Sequence, residues 1–284
     1  MPPRIVAMVA SVLLATSATP MTAQTPPAPV PAADLFDGPW TPARTAQFDL
    51  GPAAAPFRIL VSLPEAPPPP EGYGVIYALD AGWTFGTLRD SVLMQTGPYA
   101  GNGSAPTVVV GIGWPTETLA DFDRRGPDLV GDRRAAMLTF IAEELIPRVE
   151  GRLSIDPAHR MLAGHSFGGA FALQARIDRP GLFSHIAAGS PSIWTDPEGF
   201  FAGASPDGPP VLITVGGLEA PEAAEAAGTP ADRVARLRER DMTGRAARMA
   251  KALPGAFEVF PDASHGASVT PFLARAVQFL WTRP

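Results

Sequence analysis

Met161-Leu162-Ala163-Gly164-His165-Ser166-Phe167-Gly168-Gly169-Ala170-Phe171-Ala172-Leu173 is the most informative stretch of this chain. An apolar run from Arg160 to Gly164 reads as a buried strand, and the run after Gly169 reads as a helix through about Ile177. Between them Gly164-His165-Ser166-Phe167-Gly168 fits G-x-S-x-G. A serine on such a strand-to-helix turn takes a strained backbone that lifts its hydroxyl above the sheet edge. Glycines on either side let strand and helix approach without a Cβ clash. The new helix aims free N–H groups at the same spot. The spacing predicts Ser166 as a nucleophile.

A serine hydroxyl attacks only when a base takes its proton. Chain order nucleophile, acid, base goes with this turn. Of four histidines, only His185 and His265 follow Ser166. His185 opens a strand at the wrong end of the sheet, which makes it structural. His265, in Asp262-Ala263-Ser264-His265-Gly266, lies just past the last strand, where a site at strand ends belongs. The acid should follow Val211–Val215, and Glu219 in Gly216-Gly217-Leu218-Glu219 is the choice. Glu222, Glu225 and Asp232 compete, and a dyad without an acid is an open alternative. Oxyanion donors are expected from the N–H of Phe167 and, in the loop Asp80-Ala81-Gly82-Trp83, the N–H of Gly82.

Outward from this stretch, strands and helices alternate. Ala46–Leu50 and Phe57–Leu63 read as an antiparallel hairpin. Strands follow at Val75–Leu79, Thr107–Ile112, Arg160–Gly164, His185–Gly189, Val211–Val215 and Phe257–Phe260. Helices are expected from Asp132 to Val149 and from Thr229, Pro230 and Asp232 through Val234, Leu237, Met249 and Leu253, with Pro271–Trp281 closing the chain. The rhythm implies a mostly parallel central sheet with helices on both faces.

The chain has 284 residues, 46% hydrophobic and 18% charged, with no cysteine. That suits one α/β domain and excludes disulfides, thiolate metal sites and a cysteine nucleophile. A net charge of -6 argues against nucleic acid as a partner. No metal constellation is visible, and no cofactor is expected. At the N-terminus Arg4 precedes an apolar run from Ile5 to Ala15 and then small residues. This is the pattern of a cleaved signal peptide over residues 1–23, too short for a comfortable span of ~20 residues. A Pro- and Ala-rich leader is expected over 24–40 and the catalytic domain over 41–284. The mature protein is expected to be periplasmic or secreted, without stable membrane insertion.

Several stretches together resemble the putative-esterase branch of the α/β-hydrolases, which includes trilactone-siderophore esterases. They are Tyr77-Ala78-Leu79-Asp80-Ala81, Val110-Gly111-Ile112-Gly113, Ile141 to Pro147, Gly164 to Gly169, Ser190-Pro191-Ser192-Ile193-Trp194, Val215 to Glu219 and Ser264-His265-Gly266. Arg124, Arg125 and Asp128 match an Arg-Arg-x-x-Asp stretch of the bacterial siderophore-esterase subgroup. Ala81 departs from that family's LDG glycine. The resemblance implies an α/β-hydrolase fold and a serine carboxylic-ester hydrolase. Its substrates would be siderophore trilactones or small acyl or aryl esters. Trp83, Trp114, Arg124 and Arg125 are expected at the substrate. An acyltransferase using the same triad, or an inactive binding protein on the same fold, are the alternatives.

Overall fold

Strand β3 (Tyr73–Leu79) shows how the sheet is built. Val75, Tyr77 and Leu79 face one apolar layer and Ile76 and Ala78 face another, so period-two alternation buries the strand on both sides. The computed structural model describes residues 41–96 and 103–282. The expected signal peptide and leader lie outside the described residues.

Eight strands form one sheet in the order β1-β2-β4-β3-β5-β6-β7-β8. They are β1 (Thr45–Leu50), β2 (Phe57–Ser62), β3, β4 (Thr107–Gly113), β5 (Ile155–His165), β6 (His185–Gly189), β7 (Val211–Gly216) and β8 (Gly255–Phe260). From β4 across to β8 all neighbours are parallel; β1 and β2 are the antiparallel hairpin, with β2 antiparallel to β4. Every expected strand is present, with ends displaced by a few residues.

Helices α1 (Ala81–Thr96) and α10 (Val269–Trp281) cover one face through Phe85, Leu88, Val92, Phe272 and Val277. The other face carries α2 (Phe122–Val130), α3 (Arg134–Phe140), α4 (Ile146–Glu150), α5 (Phe167–Asp178), α6 (Pro197–Ala202) and α9 (Met242–Ala252), while α7 (Pro221–Ala226) and α8 (Ala231–Arg240) pack against each other. The chain leaves β3 towards the α1 face and β5 towards the α5 face. Adjacent strands whose exits diverge open a crevice at their C-terminal ends.

Three expectations change. The helix expected from Asp132 starts at Arg134 and passes through a π-turn, Ile141–Leu145, between α3 and α4. The helix expected from Thr229 is two helices, because Asp241 takes a left-handed backbone (φ 44°, ψ 49°) that breaks it. Aspartate tolerates that conformation better than most residues. Thr229 does not cap it; Pro230 holds the cap position without a side-chain bond. Helices α1 and α2 carry no assignment in the sequence reading, since Gly82, Gly86, Gly126 and Pro127 dilute their signal. Among the described residues no helix is long and apolar enough to cross a membrane.

Candidate active site

Ser166 stands between β5 and α5 with φ 61° and ψ -116°. A non-glycine residue pays roughly 1–3 kcal/mol for such a backbone. Three hydrogen bonds hold it there. Its N–H donates to the Gly189 carbonyl (2.8 Å), and its carbonyl accepts from the N–H groups of Ala170 and Ser192 (3.0 Å each). Closeness of strand and helix leaves no room for a side chain at Gly164 or Gly169. A Cβ on Gly164 would lie 2.4 Å from the Gly168 backbone, and one on Gly169 would lie 2.8 Å from the Gly189 carbonyl oxygen.

His265 follows β8 and Glu219 ends a 3-10 turn after β7. Imidazole Nδ1 is 2.6 Å from the Glu219 Oε2. The other carboxylate oxygen accepts from the Ser190 hydroxyl and, at 2.8 Å, from the Gly216 N–H. Burial alone would raise the Glu219 carboxyl. The hydrogen bonds from His265, Ser190 and Gly216, with the imidazole's charge, outweigh burial and hold it below the ordinary carboxylate value. Glu222, Glu225 and Asp232 make no such contact; Glu225 and Asp232 pair with Arg238 and Arg236.

Behind this pair lies a buried polar layer. The Ser268 hydroxyl donates to the His265 carbonyl (2.8 Å) and lies 3.2 Å from that of Ser190. His165 Nε2 is 3.0 Å from the same hydroxyl, and its ring centroid is 4.7 Å from that of His265. Burial, then the neighbouring charges of His265 and Arg125, depress the His165 pKa well below the ordinary histidine value. His165 is therefore neutral and fixed.

Asp80, at the C-terminal end of β3, has φ 60° and is almost fully buried. Arg125 grips its carboxylate with two hydrogen bonds (2.7 and 2.8 Å) and reaches the His165 carbonyl at 3.4 Å. The guanidinium also lies over the rings of Trp83 and Phe167, 5.0 and 5.2 Å from their centroids. Arg125 thus ties the start of α1 to the turn that carries Ser166. In the first turns of α1 and α5, the N–H groups of Ala81, Gly82, Phe167 and Gly168 have no intrahelical acceptor.

A cavity of about 450 Å³ is lined by Ser166, Glu219 and His265 together with Phe167, Ser192 and Trp194. Ser166 and His265, far apart in sequence, thus share one end of the sheet. Four expected substrate contacts do not line this cavity. Trp114 is buried and donates its indole N–H to Asp128 (2.8 Å). Trp83 stacks on Phe122 and Arg125. Arg124 donates to the carbonyls of Pro56 and Ala55 (2.8 and 3.0 Å) and covers Phe57. Arg125 is taken up by Asp80. Asp128 is pinned by Trp114 and Arg133, so the Arg-Arg-x-x-Asp stretch holds loops together. Sequence reasoning missed the contributions of Ser190, Ser192, Trp194, Ser268 and helix α8. The Ser190–Trp194 stretch was the available signal, since it follows a strand end.

Residues 54–266 match the family model described as "Putative esterase". The chain belongs to the putative-esterase family. Curated relatives of this family member include the ferri-bacillibactin esterase BesA of Bacillus subtilis strain 168, 36% identical over 160 residues, 50% of this chain and 55% of that protein. Another is the apo-salmochelin esterase of Escherichia coli O6:H1, 27% identical over 164 residues, 51% of this chain and 50% of that protein. The matches thus span about half the length of these relatives. Among solved structures, the BES protein of Bacillus cereus superposes with a TM-score of 0.72 at 23% identity, covering 87% of this chain and 98% of that one. The siderophore hydrolase EstB of Aspergillus nidulans gives 0.71 at 23%, covering 86% and 97%. These likenesses establish the α/β-hydrolase fold for this family member.

Proposed function

We propose that this protein is a serine carboxylic-ester hydrolase working through an acyl-enzyme, with siderophore trilactones as its substrates. One observation carries the reading: Ser166 on a strained turn and a His265–Glu219 pair line one cavity. His265 takes the Ser166 hydroxyl proton as Oγ attacks the ester carbonyl. Glu219 accepts the Nδ1–H, which leaves Nε2 free for that proton, and stabilises the imidazolium. The tetrahedral oxyanion is held by the N–H of Phe167 and one from the start of α1, Gly82 or its neighbour Ala81. Collapse expels the alcohol, which takes the proton from His265. Water then repeats the cycle on the acyl-enzyme and releases the acid.

The substrate class rests on the family and on relatives named for bacillibactin and salmochelin. An extracytoplasmic address is supported by Arg4 and the apolar run behind it. The test is labelling by a fluorophosphonate probe, with hydrolysis of a catecholate trilactone and of p-nitrophenyl acyl esters. Labelling should vanish in Ser166→Ala. Undiminished labelling in that variant overturns the nucleophile, and turnover of simple esters without trilactones overturns the substrate class.

A further inference from the structure

The cavity has a basic wall that the ester chemistry does not use. Arg233, Arg236 and Arg240 all line it, on the same helix as Leu237. They are spaced i, i+3 and i+7, which is one helical face, and span ~10 Å at 1.5 Å per residue. The Arg240 guanidinium lies 4.5 Å from the centroid of the Trp194 ring, which also lines the cavity. Among the described residues Arg233 and Arg240 have no carboxylate partner. Arg236 pairs with Asp232 (2.9 Å), but both are exposed, at 53% and 67%, so the pair is weak and the guanidinium is free to exchange it for a ligand. Arg238 instead pairs with Glu225, outside the cavity lining. The one carboxylate in the lining, Glu219, is buried and engaged by His265. A chain of net charge -6 therefore presents a row of cations to its site.

We infer that the α8 face is an anion-binding wall that selects esters whose acyl part carries negative charge on an aryl group, such as a ring carboxylate. The Trp194–Arg240 stack offers a flat edge to the aryl ring, and cations at the mouth raise the local concentration of anions. The left-handed turn at Asp241 makes this possible. It lets α9 bury Ala246 and Met249 while α8 keeps its arginines on the site. This inference rests on the reading of Ser166 as an ester-cleaving nucleophile.

The test compares mono(p-nitrophenyl) terephthalate with p-nitrophenyl 4-isopropylbenzoate, its neutral isostere, each rate divided by its uncatalysed rate. The protein should favour the anionic ester in kcat/KM by about 10-fold at low salt, and the preference should shrink as ionic strength rises. In the triple variant R233Q/R236Q/R240Q the preference should fall below about twofold, because the anionic ester loses more rate than the neutral one. Equal rates for both esters in the parent protein, or equal losses for both in the triple variant, overturn the wall. If neither ester is cleaved, the esterase reading fails separately. Calorimetric binding to Ser166→Ala, with and without the three substitutions, then decides the wall alone. About tenfold tighter binding of the anionic ester supports it, and equal binding overturns it.

Discussion

Nδ1 of His265 lies 2.6 Å from Oε2 of Glu219, and the two residues come from turns after different strands. This contact fixes the imidazole tautomer, because a carboxylate can only accept. Glu219→Gln keeps an oxygen for the Gly216 N–H and the Ser190 hydroxyl but turns a donor towards Nδ1. That variant should fold with an unchanged melting temperature and lose about 10²–10⁴ in kcat. Steady-state kinetics beside thermal melts check it; near-normal kcat would remove Glu219 from the triad.

Ser166→Ala and His265→Ala should each lower kcat by about 10³-fold or more, and the double variant should be little worse than either. Additive losses would show that the two side chains do not act as a unit.

Arg125 and Asp80 form a buried, bidentate pair beside the turn that carries Ser166. Arg125→Ala strands a buried carboxylate and should cost about 3–5 kcal/mol in denaturant unfolding. Arg125→Lys keeps the charge but loses the fork and should show an intermediate loss. A loss under 1 kcal/mol for the alanine variant would mean that the pair does not support the fold.

Gly164→Ala places a methyl 2.4 Å from the Gly168 backbone. It should destabilise the protein by more than about 2 kcal/mol and abolish turnover. Gly86 sits in α1 with no atom within 4 Å of a built Cβ. Gly86→Ala should therefore be stabilising, by about 0.5–1 kcal/mol from helix propensity. Melting curves of the two variants side by side make the comparison.

Stability should fall on mild acidification. Burial, with the nearby charge of His159, lowers His185 to about 4, and burial depresses His165 still more clearly. Both take up protons more readily when unfolded, near the ordinary value of about 6.5. Their neutral forms therefore support the fold fully above that pH, and the support drains away as pH drops from about 6.5 towards 4. Glu219, depressed in the fold, adds a loss in the same direction at lower pH. The melting temperature should be flat from pH 8 to 7 and decline from pH 6 to 5. A His185→Gln variant should decline less steeply, and an identical slope would exclude His185 as a contributor.

Local rules carried the sequence reading a long way. Alternating apolar runs place every strand of the sheet, and the glycines around Ser166 announce a turn that only small residues permit. Chain order and strand ends single out His265 and Glu219, which the tertiary structure brings into contact. Helix breaks are less legible. Asp241 divides α8 from α9 through one left-handed residue, and nothing in the local pattern of Val234, Leu237, Met249 and Leu253 marks it. The aromatic and basic residues around the crevice were the least legible. Trp114 and Arg124 look like mouth residues by sequence position, yet Asp128, Ala55 and Pro56 draw their polar atoms into structural bonds.

By itself the sequence determined the fold class, the strained turn at Ser166 and the order of triad candidates, because backbone sterics and hydrophobic periodicity act between residues close along the chain. Only the tertiary structure decided which charged side chains face the cavity. Arg125 and Arg240 are chemically identical, and one is bound to a buried carboxylate while the other rests on Trp194 beside the site. That difference is set by partners distant in sequence, which no local pattern specifies.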